Sequence, residues 1–86
     1  MNILNLTLKK QCFDQVKNGQ KKVEYREYKP YWNIRLENKK YTHIKFRNGY
    51  NADSPVVVVE YLGFFTVIYE DRRYYCLLLG DIISSK

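Results

Sequence analysis

The stretch from Val56 to Tyr69, VVVVEYLGFFTVIY, constrains this chain more than any other feature. It is almost wholly apolar and rich in β-branched and aromatic side chains, which suits a long strand. It is too short to span a bilayer, and it carries Glu60. Gly63 in its middle predicts a bulge, or a bend around a barrel corner. Such a strand needs partners, and the chain has 86 residues in which to find them. That is one small domain, residues 1–86, with a thin core.

The remaining segments supply the partners. Residues 2–8 alternate, with Ile3, Asn5 and Thr7 on one side and Leu4, Leu6 and Leu8 on the other, as in a half-buried strand. Residues 9–18 switch to a helical period that gathers Cys12, Phe13 and Val16 on one stripe, and Gly19 follows as a helix-ending residue. Residues 21–28 return to a period of two. Val23 and Tyr25 share one face; Lys22, Glu24, Arg26 and Tyr28 share the densely charged other.

Pro30 opens a second short helix, on which Trp32 and Leu36 lie four apart. Residues 41–47 form a strand, with Ile44 and Phe46 facing one way and His43, Lys45 and Arg47 the other. Asn48-Gly49 is a turn signal, and residues 51–55 read as a loop. Residues 70–72 then turn into a last strand over 74–79, followed by Gly80 and the apolar pair Ile82-Ile83. Five strands and two short helices, without a βαβ rhythm, predict an α+β, mostly β fold: a small mixed β-barrel.

Charge narrows the choice of partner. The net charge is +6, with a pI near 9.4. Residues 1–50 hold twelve Lys and Arg against four acids, whereas residues 51–86 hold three against five. A surface drawn from the first half is positive and favours RNA or a nucleotide over a membrane. Nine tyrosines lead an aromatic content of 16%, which lets a small domain bury area while hydroxyls stay wet. Cys12 and Cys76 are too few for a disulfide framework, match no metal-binding spacing, and read as buried free thiols. The opening MNILNLTLKK lacks the order of a signal peptide, so a cytoplasmic location is expected.

Three groups are candidates for chemistry. In GQKKVEYR, residues 19–26, Lys21, Lys22 and Arg26 suit a phosphate or a developing oxyanion, with Glu24 fixing their positions. The structural alternative is a solvated salt-bridge ladder. Glu60 sits among apolar neighbours, where desolvation raises an acid's pKa toward that of a general base. The alternative is a rim residue, because Val57 and Val59 have the opposite parity. Brought beside Lys21 or Lys22, Glu60 makes an acid–base couple; with Glu24, it makes a pair of metal ligands for a nuclease. The third group is Tyr28, Tyr31, Trp32 and Arg35, whose rings and guanidinium suit stacking on a base, or else packing of a small barrel. His43, alone on a basic strand face, reads as a surface residue. The chain has no glycine-rich phosphate loop, catalytic triad order or metal cluster, and no cofactor is expected.

The order of these motifs resembles the ASCH family of PUA-like barrels. The matching pieces are Gly19-x-Lys21-x-Val23-Glu24-x-Arg26, then Trp32-x-x-Arg35-Leu36 and IKFRNGY at residues 44–50. Val59-Glu60-Tyr61 and Leu79-Gly80-x-Ile82-Ile83 complete the set. The resemblance implies a small barrel with a cleft between the first helix and the strands, and a role in RNA or nucleoside metabolism. Lys21, Glu24 and Arg26 then line a basic cleft, Lys22, Lys45 and Arg47 extend its positive surface, and Tyr28, Trp32 or Tyr50 offer rings. One relative is an amidohydrolase acting on N4-acetylcytidine. Its catalytic lysine matches Lys21 and its glutamate matches Glu60, while its threonine falls on Glu24, a carboxylate that donates no hydrogen bond when ionised. The expected function is binding of RNA or a nucleoside-type ligand; amide hydrolysis by Lys21, Glu24 and Glu60 is the alternative.

Overall fold

The computed structural model describes residues 2–85. The elements run β1 (Ile3–Thr7), α1 (Lys10–Lys17), β2 (Val23–Glu27), α2 (Pro30–Leu36), β3 (His43–Arg47), β4 (Val56–Tyr69) and β5 (Arg72–Ser85). All five strands join one mixed sheet in the order β1-β3-β4-β5-β2. β1 runs parallel to β3, and the other neighbours are antiparallel. The mostly β fold with two short helices is as expected. The closed barrel is not formed: among the described residues no ladder joins the edge strands β1 and β2. A side chain bridges the seam instead, since Arg26 Nη2 on β2 donates to the Thr7 carbonyl on β1 at 3.3 Å.

β4 and β5 form the longest ladder, with 14 residues each. The last strand continues to Ser85, past the expected end at Leu79, because β4 gives it a partner of equal length. Bulges absorb the mismatches. One register shift lies between Tyr61 and Phe64. There Gly63 takes φ +104°, a backbone conformation cheap only for glycine. A second lies between Val59 and Tyr61, whose partners are Ile82 and Leu79, so Gly80 and Asp81 share one position opposite Glu60.

The inward sides of the strands build the core. Leu4 and Leu6, Ile44 and Phe46, and Val57 and Val59 are buried as their alternation requires. Tyr75, Leu77 and Leu79 of β5 join them. Removing a side chain such as that of Phe46 from water is worth about 1.5–3 kcal/mol. Neither helix has a capping side chain at its N-terminus, and at eight and seven residues neither is stable alone. Packing holds them: Phe13 and Val16 fix α1, and Leu36 fixes α2. Lys29 is extended, as a residue before proline must be. Asn33 on α2 donates to the hydroxyl of Tyr75, which donates in turn to Glu37 Oε1 at 3.0 Å. Cys12 and Cys76 are free thiols, Cys76 buried and Cys12 partly so. Among the described residues no helix is long and apolar enough to cross a membrane.

Candidate nucleic-acid interface

β2 faces opposite to the simplest expectation for an amphipathic strand. Glu24 pairs in register with Leu77, and Arg26 with Tyr75, both of them inward-facing core residues. The charged face of β2 therefore points inward, and Tyr25 stands outside at 58% exposure. Glu24 is only 5% exposed. Its Oε1 lies 3.2 Å from Lys21 Nζ and its Oε2 2.7 Å from Arg26 Nη2. A carboxylate this far from water must be paired, and here two cations share the task.

Arg26 also lies over the Trp32 ring, 5.0 Å from its centroid, and its buried Nε makes no hydrogen bond among the described residues. Lys21, Glu24 and Arg26 thus converge as expected, but not as an empty cleft floor. Glu24 already occupies the anion's place between them. Tyr28 and Trp32 are committed as well. Tyr28 stacks on Tyr75 at 5.0 Å with the Arg73 guanidinium 4.1 Å from its ring, and Trp32 packs against the core. Tyr31 is exposed and carries the Arg35 guanidinium 3.5 Å over its ring, while Lys22 points into solvent.

Glu60 does not join this group. It pairs with His43 on the outward face, since its neighbours Val59 and Ile44 face inward. Its Oε1 accepts the Asp81 backbone N–H at 3.1 Å, within the bulge of β5. Gly80 makes room for it: a Cβ there would lie 2.9 Å from Glu60 Cβ and 3.1 Å from Oε1. Glu60 and the Lys21–Glu24 pair sit on opposite faces of the sheet. Neither the Lys21–Glu60 acid–base couple nor the Glu24–Glu60 metal pair is assembled. The reason is the strict alternation of a strand, which holds Glu60 on the side away from the core.

The outer face of β3 is different. Lys45 and Arg47 line a hollow of about 440 Å³ together with Ser54, Val58 and Ser84, and Asp53 is its one acidic lining residue. Among the described residues neither Lys45 nor Arg47 is in an ion pair. Arg47 Nη1 donates to the Asn51 carbonyl at 3.0 Å, which fixes the loop beside it. Tyr50 in that loop is 91% exposed. His43 continues the row, its ring Nδ1 2.7 Å from Thr42 Oγ1.

One group escaped the sequence reading. Tyr25, Phe65, Val67, Tyr69, Tyr74 and Cys76 line a hollow of about 530 Å³ on the outer face of β2, β5 and β4. Its signal was present: apolar side chains recur at alternate positions on both sides of the turn at Glu70-Asp71. Burial pushes the Cys76 thiol pKa up, so the floor of this hollow is a neutral thiol. Burial, with smaller contributions from Tyr41 and Glu37, pushes Tyr61 up to about 12. No family model, curated protein or solved structure matches this chain.

Proposed function

We propose that this chain binds single-stranded RNA, with the outer face of β3 as the contact for the phosphates. One observation carries the reading. Lys45 and Arg47 stand on the same face two residues apart, line one hollow, and have no carboxylate partner among the described residues. Positions two apart on a strand repeat every ~6.6 Å, a spacing suited to successive phosphates of an extended strand. Their charge is not consumed by the fold, unlike that of Lys21 and Arg26. Tyr50, next to the Asn51 that Arg47 holds, offers an exposed ring for an unpaired base.

The excess of cations in residues 1–50 supports the same reading, because it draws a polyanion before any specific contact forms. So does the ordered set of motifs that resembles the ASCH family, with the difference that the seam of a PUA-like barrel is here left open. The test is a titration of a labelled ten-nucleotide RNA. The two phosphate contacts at Lys45 and Arg47 weaken affinity about sevenfold between roughly 50 and 200 mM salt. An affinity indifferent to salt overturns the proposal.

A further inference from the structure

The aromatic hollow lies on the outward side of the same sheet as Lys45 and Arg47, but on the opposite half. Register defines its shape. Tyr25 on β2 and Phe65 on β4 both pair with Cys76 on β5, so the two rings flank one small side chain from either side. Two strand spacings separate their backbones, about 9.6 Å. That leaves a slot, with ring walls and a floor at Cys76 and Tyr74, wide enough for a flat ring system. The volume, about 530 Å³, falls within the roughly 300–1,000 Å³ usual for small-molecule sites.

Four of the six lining residues are aromatic, with valine the one aliphatic member. Such a lining favours stacking on a planar occupant over the packing of a branched apolar chain. The charged groups nearby hold no surplus of cations: Glu27 lies 3.6 Å from both Lys29 and Arg72, and Glu70 and Asp71 form the adjoining turn. The hollow itself therefore has no strong hold on phosphate.

We propose that this hollow takes an unpaired base of the bound strand, stacked between Tyr25 and Phe65. This rests on the reading of β3 as the phosphate contact. Val58 is level with Lys45, and Phe65 lies seven residues further along β4. A strand held at β3 therefore reaches the slot within about 23 Å, a few nucleotides away. The base supplies the stacking surface and β3 the charge.

The experiment compares a ten-nucleotide oligouridylate with an abasic strand of equal length and charge. The proteins are the wild type and the Tyr25→Ala and Phe65→Ala variants. Both side chains are about half exposed, at 58% and 47%, so the variants keep their core, which circular dichroism verifies. Each variant is expected to bind the oligouridylate about tenfold more weakly and the abasic strand as tightly as wild type does. Equal losses for both strands, or none, overturn the stacking site while the β3 reading stands. A wild-type dimer that Phe65→Ala dissolves also overturns it. Millimolar adenosine, followed by the ring proton resonances of Phe65, separates the two proposals. If the wild type binds neither strand, shifted Phe65 resonances keep a nucleoside site alone, and unshifted ones remove both.

Discussion

The cations at the entry to β2 and on it, and those of β3, are drawn from similar sequences, Lys-x-x-Glu-x-Arg and Lys-x-Arg, yet they are put to different uses. Lys21 and Arg26 close on Glu24 inside the fold, and Arg26 goes on to tie β2 to β1 across the open seam. Lys45 and Arg47 stand outside with nothing to neutralise them except Asp53 at the edge of the hollow. The lesson is that cation density alone does not mark a binding surface. What matters is whether an acid of the same chain has already taken the charge.

The sharpest way to break this comparison is to remove the acid. Glu24→Ala leaves two partly buried cations facing each other, and the expected loss is about 3 kcal/mol in urea unfolding. Little or no loss would mean that the trio is solvated and that the inside–outside distinction fails. Alkali probes the same interior. Tyr61 keeps its proton to about 12, whereas the unfolded chain releases it near 10.0. Between those values the unfolded state binds fewer protons, so stability is complete below the lower value and falls as pH rises toward the upper. Burial shifts Tyr75 in the same direction. The unfolding midpoint should therefore drop between about pH 10 and about pH 12, and Tyr61→Phe should shallow that drop.

The outer cations should behave in the opposite way. Replacing Lys45 and Arg47 together by Ala is expected to change stability by less than about 0.5 kcal/mol. RNA affinity should fall about tenfold, and the slope of log affinity against log salt should flatten by roughly 1.4. Unfolding and binding measurements on one preparation decide between a structural and a binding role. The smallest effect belongs to Glu60. Glu60→Ala removes the acceptor for the Asp81 N–H and should cost about 1 kcal/mol. Gly80→Ala should cost a similar amount by crowding the same side chain. The double variant should lose less than the sum, because both changes act on one contact.

Much of the fold was legible because a strand exposes its two faces at a fixed period. Leu4 and Leu6, Ile44 and Phe46, and Val57 and Val59 are buried where alternation put them. The bulge at Gly63 was legible too, since glycine inside an apolar strand has few other uses. β2 was not. Its apolar face carries Val23 and Tyr25, so its own pattern points the wrong way, and only pairing with Leu77 and Tyr75 turns Glu24 inward. The outward parity of Glu60 was legible, but its partner Asp81 lies 21 residues away across a bulge that no local pattern announces. The aromatic hollow was missed for a related reason: Tyr25, Phe65 and Tyr74 come from three strands, and register alone assembles them.

By itself the order of residues determined the number and type of the elements, the apolar side of most strands, and the surplus of positive charge in the first half. These follow from local periodicity and composition, which need no knowledge of neighbours. Tertiary structure alone decided that the sheet stays open between β1 and β2, that one acid spends two cations inside, and that Glu60 belongs to a bulge rather than to Lys21. Those outcomes depend on which strand lies beside which and in what register, and hydrogen-bonded pairing between distant segments sets both only once the chain has folded.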